Sequence, residues 1–441
     1  MINSKKKGFT IVELVIVIAV VAILAAVLIP TFSSLIKKAN LSADQQAVRQ
    51  MNTALAIYAA ENGKPESIGE VKNALDANDI NIDGLTPVTK GYAFYWNPEE
   101  NTIALVGEGK DQVQDGWYIL TSNEFGEYIE ATSTNKLDDI LFTTNDQGET
   151  VPNYSNPVYI KLSEDASLTK ATKIWDKYYN SGNGADKDRL YFGANQHVTI
   201  DLNGNTLTTP DHCIVIEDNA SLTIKNGVID EKEWGFLVYN GSLTLENVTI
   251  INPWDYAIYF VGTCDVTLNE TIINSTGKSW AIATNSNKPE YDGARLSITN
   301  SHLKANCPIA ITTYINVIIE GCTLEGTTHG IVLRGANGII KNNTITTTST
   351  ENDSYEYVDG YGSINTVSYG GIVVMANKQD NGGYSPVGNY TIEGNTINTA
   401  GNNPKYVAAC GGSSVVTISG ITKEEVKEVR DSNGNGTIVY K

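Results

Sequence analysis

The side chains that could carry catalysis are few and scattered along this sequence. A glycosidase needs two carboxylates about 5–9.5 Å apart. Two acids that recur at one repeat position, Glu320 and Glu393, have Lys341 between them. A ladder of alternating charge is the simpler account of these three residues. The histidines, which have no metal-ligand spacing, are His197, His212, His302 and His329. We therefore expect no enzyme activity, no cofactor and no metal site.

A calcium-dependent lyase would need clustered acids and a lysine or arginine base. No such cluster is present, and Arg295 and Arg334 look isolated in the sequence. The polar segment Asp431–Gly436 is weakly similar to a calcium loop, but its Asp, Asn and Gly content is equally typical of a turn. These residues give no reason to expect lyase chemistry.

One column of rings could instead bind a ligand. His212, Trp234, Tyr256, Trp280 and His329 each precede a Cys, Gly or Ala and then an apolar residue. If the small residue turns the chain, the rings point outward, and their faces can stack on sugar rings. If strand alternation continues, the rings pack inward, and their parity favours this placement. Both orientations stay open, and Trp234, Tyr256 and Trp280 are candidate ligand-binding residues.

A long insertion is a second candidate for binding. The starts of IKNNTI (340–345) and IEGNTI (392–397) are 52 residues apart, and the chain added after Thr346 is rich in tyrosine. Long loops on rigid repeat scaffolds often bind partners. A disordered elaboration without a ligand is the alternative. The candidate binding residues in the insertion are Tyr355, Tyr357 and Tyr361.

These candidates lie on a repeat that begins near residue 196. Segments such as LNGNTL (202–207), IKNGVI (224–229) and LENVTI (245–250) recur after 21–23 residues in most copies. Such a period of short strands without helical periodicity indicates a solenoid. The third motif position is usually Asn or Gly, as a tight left-handed corner requires. Glu270 departs from this pattern, and we expect Asn269 to take the corner after a one-residue slip.

A second motif predicts the interior of the solenoid. It places an apolar residue at one position of each copy: Ile214, Phe236, Ile258, Ile282, Ile311, Ile331 and Ile372. The run VTIDLNGNTLTT (198–209) followed by SLTIKNG (221–227) resembles the right-handed β-helix, pectin-lyase-like superfamily. The resemblance covers about residues 190–420 and implies the fold, whereas a fold alone does not define a function.

The N-terminus carries a different signal. Lys5, Lys6 and Lys7 precede the apolar run 9–29, which is long enough for a membrane crossing of about 20 residues. The positive-inside rule then places the N-terminus in the cytoplasm. Glu13 interrupts the run near its start, where an unpaired charge costs roughly 2.5–3.5 kcal/mol or more. An ordinary signal peptide or a plain anchor does not explain this glutamate.

The segment KKKGFTIVELVIVIAVVAILAAVLIP (5–30) resembles the N-terminus of type IV prepilins and of type II secretion pseudopilins. The resemblance covers residues 1 to about 60. It implies cleavage after Gly8 by a prepilin peptidase and N-methylation of Phe9. Glu13 would pair with the Phe9 amine of a neighbouring subunit, fixing axial register more than adding stability. Pro30 interrupts the helical ladder, and the resemblance implies a stretch there that bends or unwinds in the filament.

The whole chain therefore indicates an α+β pilin, with a long N-terminal helix and a small antiparallel sheet, followed by an all-β right-handed parallel β-helix. The helix is expected to restart at Ser42, where Gln45 completes a capping box, and to end at Gly63. Strand-like runs at 90–121 form the sheet. The predicted segments are a leader (1–8), a transmembrane and amphipathic helix (9–62), a head and linker (63–150), an N-terminal cap (151–195), the β-helix (196–420) and a C-terminal cap (421–441).

Composition limits the partners. The formal net charge of -19 repels nucleic acid and other polyanions, so no nucleic-acid partner is expected. The odd cysteine count favours buried thiols, although one disulfide remains possible. The cysteines are Cys213, Cys264, Cys307, Cys322 and Cys410.

These patterns favour a type IV pilin-like subunit, minor or adhesive, that displays a β-helix for surface or glycan binding. The expected partners are other pilin subunits through the N-terminal helix, the prepilin peptidase, the inner-membrane pilus assembly machinery, and a glycan or host surface. The precursor is expected to cross the membrane once and then to enter an extracellular filament. Alternatives are a pseudopilin of a type II-like secretion system and a membrane-tethered polysaccharide-active enzyme.

Replacing Glu13 with alanine tests its assembly role. The Glu13→Ala precursor should still be cut after Gly8, because the cleavage site is unchanged, whereas its incorporation into filaments should be lost. Immunoblots of the processed form and of sheared filaments measure both steps. Glu61→Ala, which changes an acid beyond the apolar run, is the matched control. Normal incorporation of Glu13→Ala would contradict the assigned role.

Overall fold

The structure is a computed structural model. It describes residues 11–82, 85–107, 117–123, 128–148, 150–153, 158–169, 190–193, 196–209, 214–217, 219–231, 235–251, 253, 256–275, 280–284, 294–312, 315–350, 354–355, 367–376, 387–430 and 434–441. Only the backbone is described for 11–35, 122–123, 152, 354–355 and 367–368. The chain forms two compact units, Met1–Lys64 with Asn78–Phe125 and Pro65–Ala77 with Gly126–Lys441. The predicted head and linker, 63–150, is therefore shared between the two units.

The first unit contains one long helix and a small sheet. Helix α1 (Ile11–Asn62) is continuous. Gly63 ends it with a left-handed φ of 93° and an N–H bond of 3.2 Å to the Ala59 carbonyl. The sheet is antiparallel in the order β2-β1-β3, with strands β1 (Tyr92–Asn97), β2 (Thr102–Gly107) and β3 (Tyr118–Asn123). The predicted long helix and small antiparallel sheet are both present.

Two expectations about α1 need comment. The predicted helix start at Ser42 is wrong, because the helix runs through this residue without a break. The backbone is also helical at Pro30, where the missing amide removes one hydrogen bond but leaves the flanking turns helical. Pro30 therefore does not end the helix in the single chain, and bending or unwinding in a filament stays a prediction.

Two polar side chains on α1 hold the head. Asn52 donates from Nδ2 to the Ile103 carbonyl (2.8 Å) and accepts the Ile103 N–H at Oδ1 (2.7 Å). The buried Asp44 carboxylate accepts the N–H groups of Val88 (2.6 Å) and Thr89 (2.9 Å). An apolar stripe at helical spacing of three and four residues also lies along α1. Its members are Val48, Met51, Leu55 and Tyr58, of which Met51 and Leu55 are fully buried.

The second unit is a parallel β-helix with two short helices, α2 (Ile68–Asp76) and α3 (Leu137–Leu141). Its strands in chain order are β4 (Tyr128–Ala131), β5 (Phe142–Thr144), β6 (Thr150–Pro152), β7 (Val158–Leu162), β8 (Ala166–Ser167), β9 (Leu190–Phe192), β10 (His197–Asp201), β11 (Thr206–Thr208), β12 (Ile214–Glu217), β13 (Ser221–Asp230), β14 (Phe236–Tyr239), β15 (Ser242–Ile251), β16 (Ile258–Val261), β17 (Asp265–Asn269), β18 (Ile272–Asn274), β19 (Trp280–Ala283), β20 (Arg295–Thr299), β21 (His302–Ala305), β22 (Cys307–Ile311), β23 (Asn316–Glu320), β24 (Thr323–Gly326), β25 (His329–Arg334), β26 (Asn337–Lys341), β27 (Thr344–Thr347), β28 (Ser354–Tyr355), β29 (Val367–Ser368), β30 (Gly370–Ala376), β31 (Val387–Glu393), β32 (Thr396–Thr399), β33 (Tyr406–Cys410), β34 (Val415–Ser419), β35 (Val426–Arg430) and β36 (Thr437–Tyr440).

The coils of the solenoid share three faces of parallel strands. Face A contains β4, β7, β10, the first halves of β13 and β15, β17, β20, β23, β26, β31, β34 and β36. Face B contains β8, β11, the second halves of β13 and β15, β18, β21, β24, β27 and β32. Face C contains β9, β12, β14, β16, β19, β22, β25, β30, β33 and β35. Because β13 and β15 run through the corner, faces A and B form one continuous sheet, and the parallel sheets are consistent with the predicted right-handed β-helix.

One left-handed residue turns each coil from face A to face B, except that the coil at Gly204 has a second one, Asn203 (51°). The corner residues and their φ angles are Gly204 (85°), Asn226 (59°), Asn247 (52°), Glu270 (50°), Asn300 (49°), Gly321 (66°), Asn342 (57°) and Gly394 (66°). The predicted Asn and Gly corner is confirmed. The predicted slip is wrong, because Glu270 itself takes the corner rather than Asn269. A left-handed residue of this type costs roughly 1–2 kcal/mol, and a 3.2 Å bond from the Glu270 N–H to the Thr299 carbonyl of the next coil helps to hold it there.

Inward side chains stack as columns through the core. The register of face C pairs Ile282 with Ile309 and Ile309 with Ile331. Ile309 therefore takes the place predicted for Ile311, which also points inward but pairs with Leu333. All of these side chains are fully buried. Burying each one contributes roughly 1.5–3 kcal/mol.

The two ends of the solenoid differ. Face A begins at Tyr128, because β4 pairs with β7 and β7 with β10. Helix α3 buries Leu137, Ile140 and Leu141 in the apolar core near this end. At the other end, residues 421–441 contain a short 3-10 helix (Lys423–Glu425), β35 and β36. Charged side chains on β35 make this edge a poor template for pairing with another strand.

Removing the Asn52 side chain should loosen the first unit. In Asn52→Ala the N–H and C=O of Ile103, on edge strand β2, lose their side-chain partners, which should lower the free energy of unfolding by about 1–3 kcal/mol. Hydrogen exchange at the β2 amides measures the change. Thr53→Ala is the matched control, because exposed Thr53 bonds only the Arg49 carbonyl of its own helix. Equal protection in the two variants would contradict the assignment.

Candidate functional site

The predicted processing and assembly residues lie at or before the start of α1. Gly8 and Phe9 fall outside the described residues, and only the backbone is described at Glu13 and Pro30. Among the residues that the structure describes, no helix is both long and apolar enough to span a membrane. The roles of these four residues therefore remain predictions from the sequence.

The aromatic column on face C points outward at Trp280. Tyr256 and Trp280 stand two residues before the inward column, yet the Trp280 side chain is 43% exposed. The small residue after each ring, Ala257 or Ala281, is fully buried. The alanine and the isoleucine that follows it are both buried, so simple alternation does not hold. The parity argument for an inward ring is therefore wrong at Trp280. His212 and Trp234 lie outside the described residues.

Four rings form what we term the aromatic surface: Tyr239, Tyr256, Tyr259 and Trp280. The Tyr256 and Tyr259 rings lie 5.0 Å apart at an interplanar angle of 33°. On β14, Tyr239 lies two positions beyond the residue that pairs with Tyr259 of β16. The two tyrosines are therefore diagonal neighbours on adjacent strands. Among the described residues, Trp280 is the one exposed large apolar side chain of face C. An aromatic group at this position has an open face on which a ligand can stack.

The same column is covered further along face C. Cys307 and His329 continue it but are only 3% and 5% exposed. The His329 ring meets Tyr369 edge-on at 5.2 Å, and burial lowers the pKa of His329 to about 4. Cys307 belongs to a buried apolar cluster with Ala310, Val332, Val373, Met375, Val407 and Ala409. The exposed aromatic surface therefore ends before Cys307, and His329 is a neutral packing residue.

The predicted insertion lies between β27 and β30. Its described part is an antiparallel pair in which Ser354 lies opposite Ser368 and Tyr355 opposite Val367. The backbone places Tyr355 in β28, while Tyr357 and Tyr361 lie outside the described residues.

The predicted charge ladder runs along the outside of face A. Glu320, Lys341 and Glu393 occupy one register on successive coils, and Lys341 Nζ lies 3.1 Å from the Glu393 carboxylate. The lysine therefore stands between the two acids. Within the described ranges, no three His, Cys, Asp or Glu side chains are grouped to hold a metal ion.

The expectation that Arg295 is isolated is wrong. Its guanidinium contacts Asp76 at 2.8 Å and Asp265 at 3.4 Å. Asp76 lies 219 residues away in sequence, so no local pattern could reveal it. Asp265 pairs with Arg295 in register on the adjacent coil, and opposite charges one repeat apart were a usable signal. Arg334 is also buried, at 2% exposure.

The cysteines agree with the expectation of buried thiols. The structure describes Cys264, Cys307, Cys322 and Cys410, and all four are buried without a disulfide bond. Burial raises the pKa of Cys322 to about 11. Cys213 lies outside the described residues.

A buried carboxyl group at Glu231 was missed by sequence reasoning. Glu231 is 1% exposed, and neither carboxyl oxygen has a hydrogen-bond partner among the described residues. A Cβ at Gly235 would lie 2.6 Å from Glu231 Oε1 and 1.9 Å from the Ala257 carbonyl, so only glycine fits this crossing. Burial raises the pKa of Glu231 well above its usual value. Glu231 comes two residues after the inward Ile229, just past the end of β13. Strand alternation therefore could have indicated that its side chain points inward.

The fold and the N-terminal motif define a prepilin-like chain that carries a parallel β-helix. Residues 3–29 match the prokaryotic N-terminal methylation motif. Prepilin peptidase-dependent protein D of Escherichia coli is 30% identical over 24% of this chain and 66% of that protein. Prepilin peptidase-dependent protein A of Clostridium perfringens is 29% identical over 20% of this chain and 62% of that protein.

The type IV major fimbrial protein FimA of Dichelobacter nodosus is 36% identical over 17% of this chain and 47% of that protein. The chain thus spans about half to two-thirds of the length of these relatives. No solved structure matches it.

Glu231 should make stability depend on pH. Because its folded-state pKa is raised, the folded chain holds a proton that the unfolded chain releases above about pH 4.5. Stability should therefore fall as pH rises, by at most about 1.4 kcal/mol per pH unit from this group. Glu231→Gln has nearly the same shape but cannot ionise. Its free energy of unfolding should therefore increase relative to that of the wild type as the pH rises from 4 to 8.

Denaturant unfolding at several pH values measures this difference. Glu231→Ala, which removes the carboxyl group but leaves a cavity, should be destabilised at low pH as well. A pH-independent difference between wild type and Glu231→Gln would contradict a protonated buried carboxyl.

Proposed function

We propose that this chain is a minor or adhesive type IV pilin-like subunit that displays its β-helix from a filament for glycan or surface binding. The observation that carries the proposal is the prepilin methylation motif at residues 3–29 in one chain with a solenoid on which Trp280 of the aromatic surface is 43% exposed. The motif supports delivery to a filament, and the aromatic surface supports recognition.

The N-terminal chemistry follows from the motif. The prepilin peptidase cuts between Gly8 and Phe9, and the new Phe9 amine is methylated. Two relatives are named as dependent on such a peptidase. The basic residues before the apolar run keep the N-terminus in the cytoplasm. The inner-membrane assembly machinery then transfers the subunit into an extracellular filament, where Glu13 pairs with the Phe9 amine of a neighbour.

A neutral glycan is the ligand class that best fits the aromatic surface. The face of Trp280 can stack on the apolar face of a sugar ring, while phenolic hydroxyl groups can hydrogen-bond its hydroxyl groups. The net charge of -19 disfavours polyanions, including nucleic acid. The proposal is non-enzymatic, since Lys341 separates the acids of the outer ladder. A pseudopilin would have the same leader, but that role does not account for an exposed aromatic surface.

Glycan binding by Trp280 is directly testable. The full-length protein in detergent should bind a subset of neutral glycans on an array, and Trp280→Ala should weaken that binding by about tenfold, because one aromatic stacking partner is lost. Ile272→Ala is the matched control, since Ile272 is equally exposed, at 43%, but lies on face B. The absence of glycan binding by the wild type, or equal binding by both variants, would count against the proposal.

A further inference from the structure

Helix α2 is held against the outside of face A by four charged side chains: Lys72, Asp76, Asp265 and Arg295. Lys72 Nζ bonds Asp265 Oδ2. The Arg295 guanidinium donates from Nη2 and Nε to Asp76 Oδ2, at 2.8 and 3.2 Å. Arg295 Nη1 lies 3.4 Å from Asp265 Oδ1. Each acid therefore contacts a base, and the four formal charges cancel. We term these four residues the clamp network.

The clamp network is almost wholly removed from water. The exposed side-chain fractions are 5% for Lys72, 1% for Asp265, 1% for Arg295 and 20% for Asp76. Burying charges is unfavourable unless each one is matched, so such a network adds little net stability. It does select strongly for the one position of α2 in which all four charges are matched.

Helix α2 depends on docking for its structure. It has nine residues, fewer than the roughly 12–15 that an isolated helix needs to be even marginally stable in water. Val71, Ala74 and Leu75 are fully buried, and Ser67 caps the helix by accepting the Glu70 N–H at 3.2 Å. A small apolar face and two charges of the helix thus provide much of its attachment. A strand in the middle of face A is instead hydrogen-bonded to a coil on each side.

The four charges can also be matched without docking. Asp265 and Arg295 are adjacent partners in the register of β17 and β20, so they remain paired with each other when the helix leaves. Lys72 and Asp76 are four residues apart on one helix, and any helical turn that persists lets them pair with each other in water. Docking keeps the Asp265–Arg295 contact and replaces the pair within the helix by two cross pairs, and release reverses this change.

We infer that α2 is a reversible clamp, which docks on the solenoid and releases as one unit while the solenoid stays folded. Neither side keeps an unmatched buried charge on release, which removes the main penalty for breaking a buried ion pair. With α2 docked, the chain joins the second unit at residues 65–77 and again from residue 126. With α2 released, the chain joins that unit only from residue 126. The clamp thereby determines whether the segment between Lys64 and Asn78 is docked on the solenoid or released from it.

Hydrogen exchange of the full-length protein in detergent tests the clamp. In the wild type, the α2 amides should exchange together and at least about tenfold faster than the ladder amides of β17 and β20, as a separately opening segment does. Asp76→Asn, which removes one cross pair but leaves the Asp265–Arg295 pair, should speed α2 exchange by about a further tenfold. The β17 and β20 amides should stay unchanged.

The matched control is Glu325→Gln. It also replaces an ion-paired carboxylate by an amide, but its 3.0 Å pair with Lys304 lies in solvent on face B. This variant should leave α2 exchange unchanged. Two outcomes would overturn the inference: α2 amides that exchange in step with β17 and β20 in the wild type, or an Asp76→Asn variant in which all three segments speed up equally.

Discussion

The left-handed corner between faces A and B is the constraint on which the rest of the solenoid depends. Each coil turns at one left-handed residue, or at two in the coil of Asn203 and Gly204, and Asn and Gly adopt this conformation with the least strain. The corners are also bonded to one another, since Asn247 Nδ2 donates to Asn226 Oδ1 at 3.2 Å and Asn226 Nδ2 to Asp201 Oδ1 at 3.1 Å. One extra residue at a corner would exchange inside for outside along the whole following strand. The corner therefore decides which side chains of a coil face water.

A fixed register turns sequence columns into surface properties. On the outside of face A, Lys341 pairs with Glu393 of the next coil. On the outside of face C, the same repeat position carries an exposed ring at Trp280 and a buried thiol at Cys307. Because neighbouring coils hold each backbone from both sides, an outward ring stands on a rigid support and loses little conformational freedom on binding. Rigidity of this kind makes the aromatic surface a plausible place for stacking.

The sequence was most informative where one requirement repeats in every coil. The Asn and Gly corner, the inward aliphatic columns and the charge ladder each recur often enough to be recognised without coordinates. Prediction failed at single departures. Glu270 occupies the corner position in the same register as the corners of the neighbouring coils. Trp280 points outward because the alanine that follows it fills the inward space. The pairing of Arg295 with Asp76 joins residues 219 apart, and no repeat period carries that information.

Burial accounts for the chemical state of the interior. It lowers the pKa of His197 and His329 to about 4, raises that of Cys264 and Cys307 to about 12, and raises that of Glu231. All five shifts favour the neutral form, as a region of low dielectric does. Neutral thiols are poor nucleophiles. In the described part of the solenoid, burial thus favours uncharged groups in the interior, whereas the Trp280 ring on face C remains exposed.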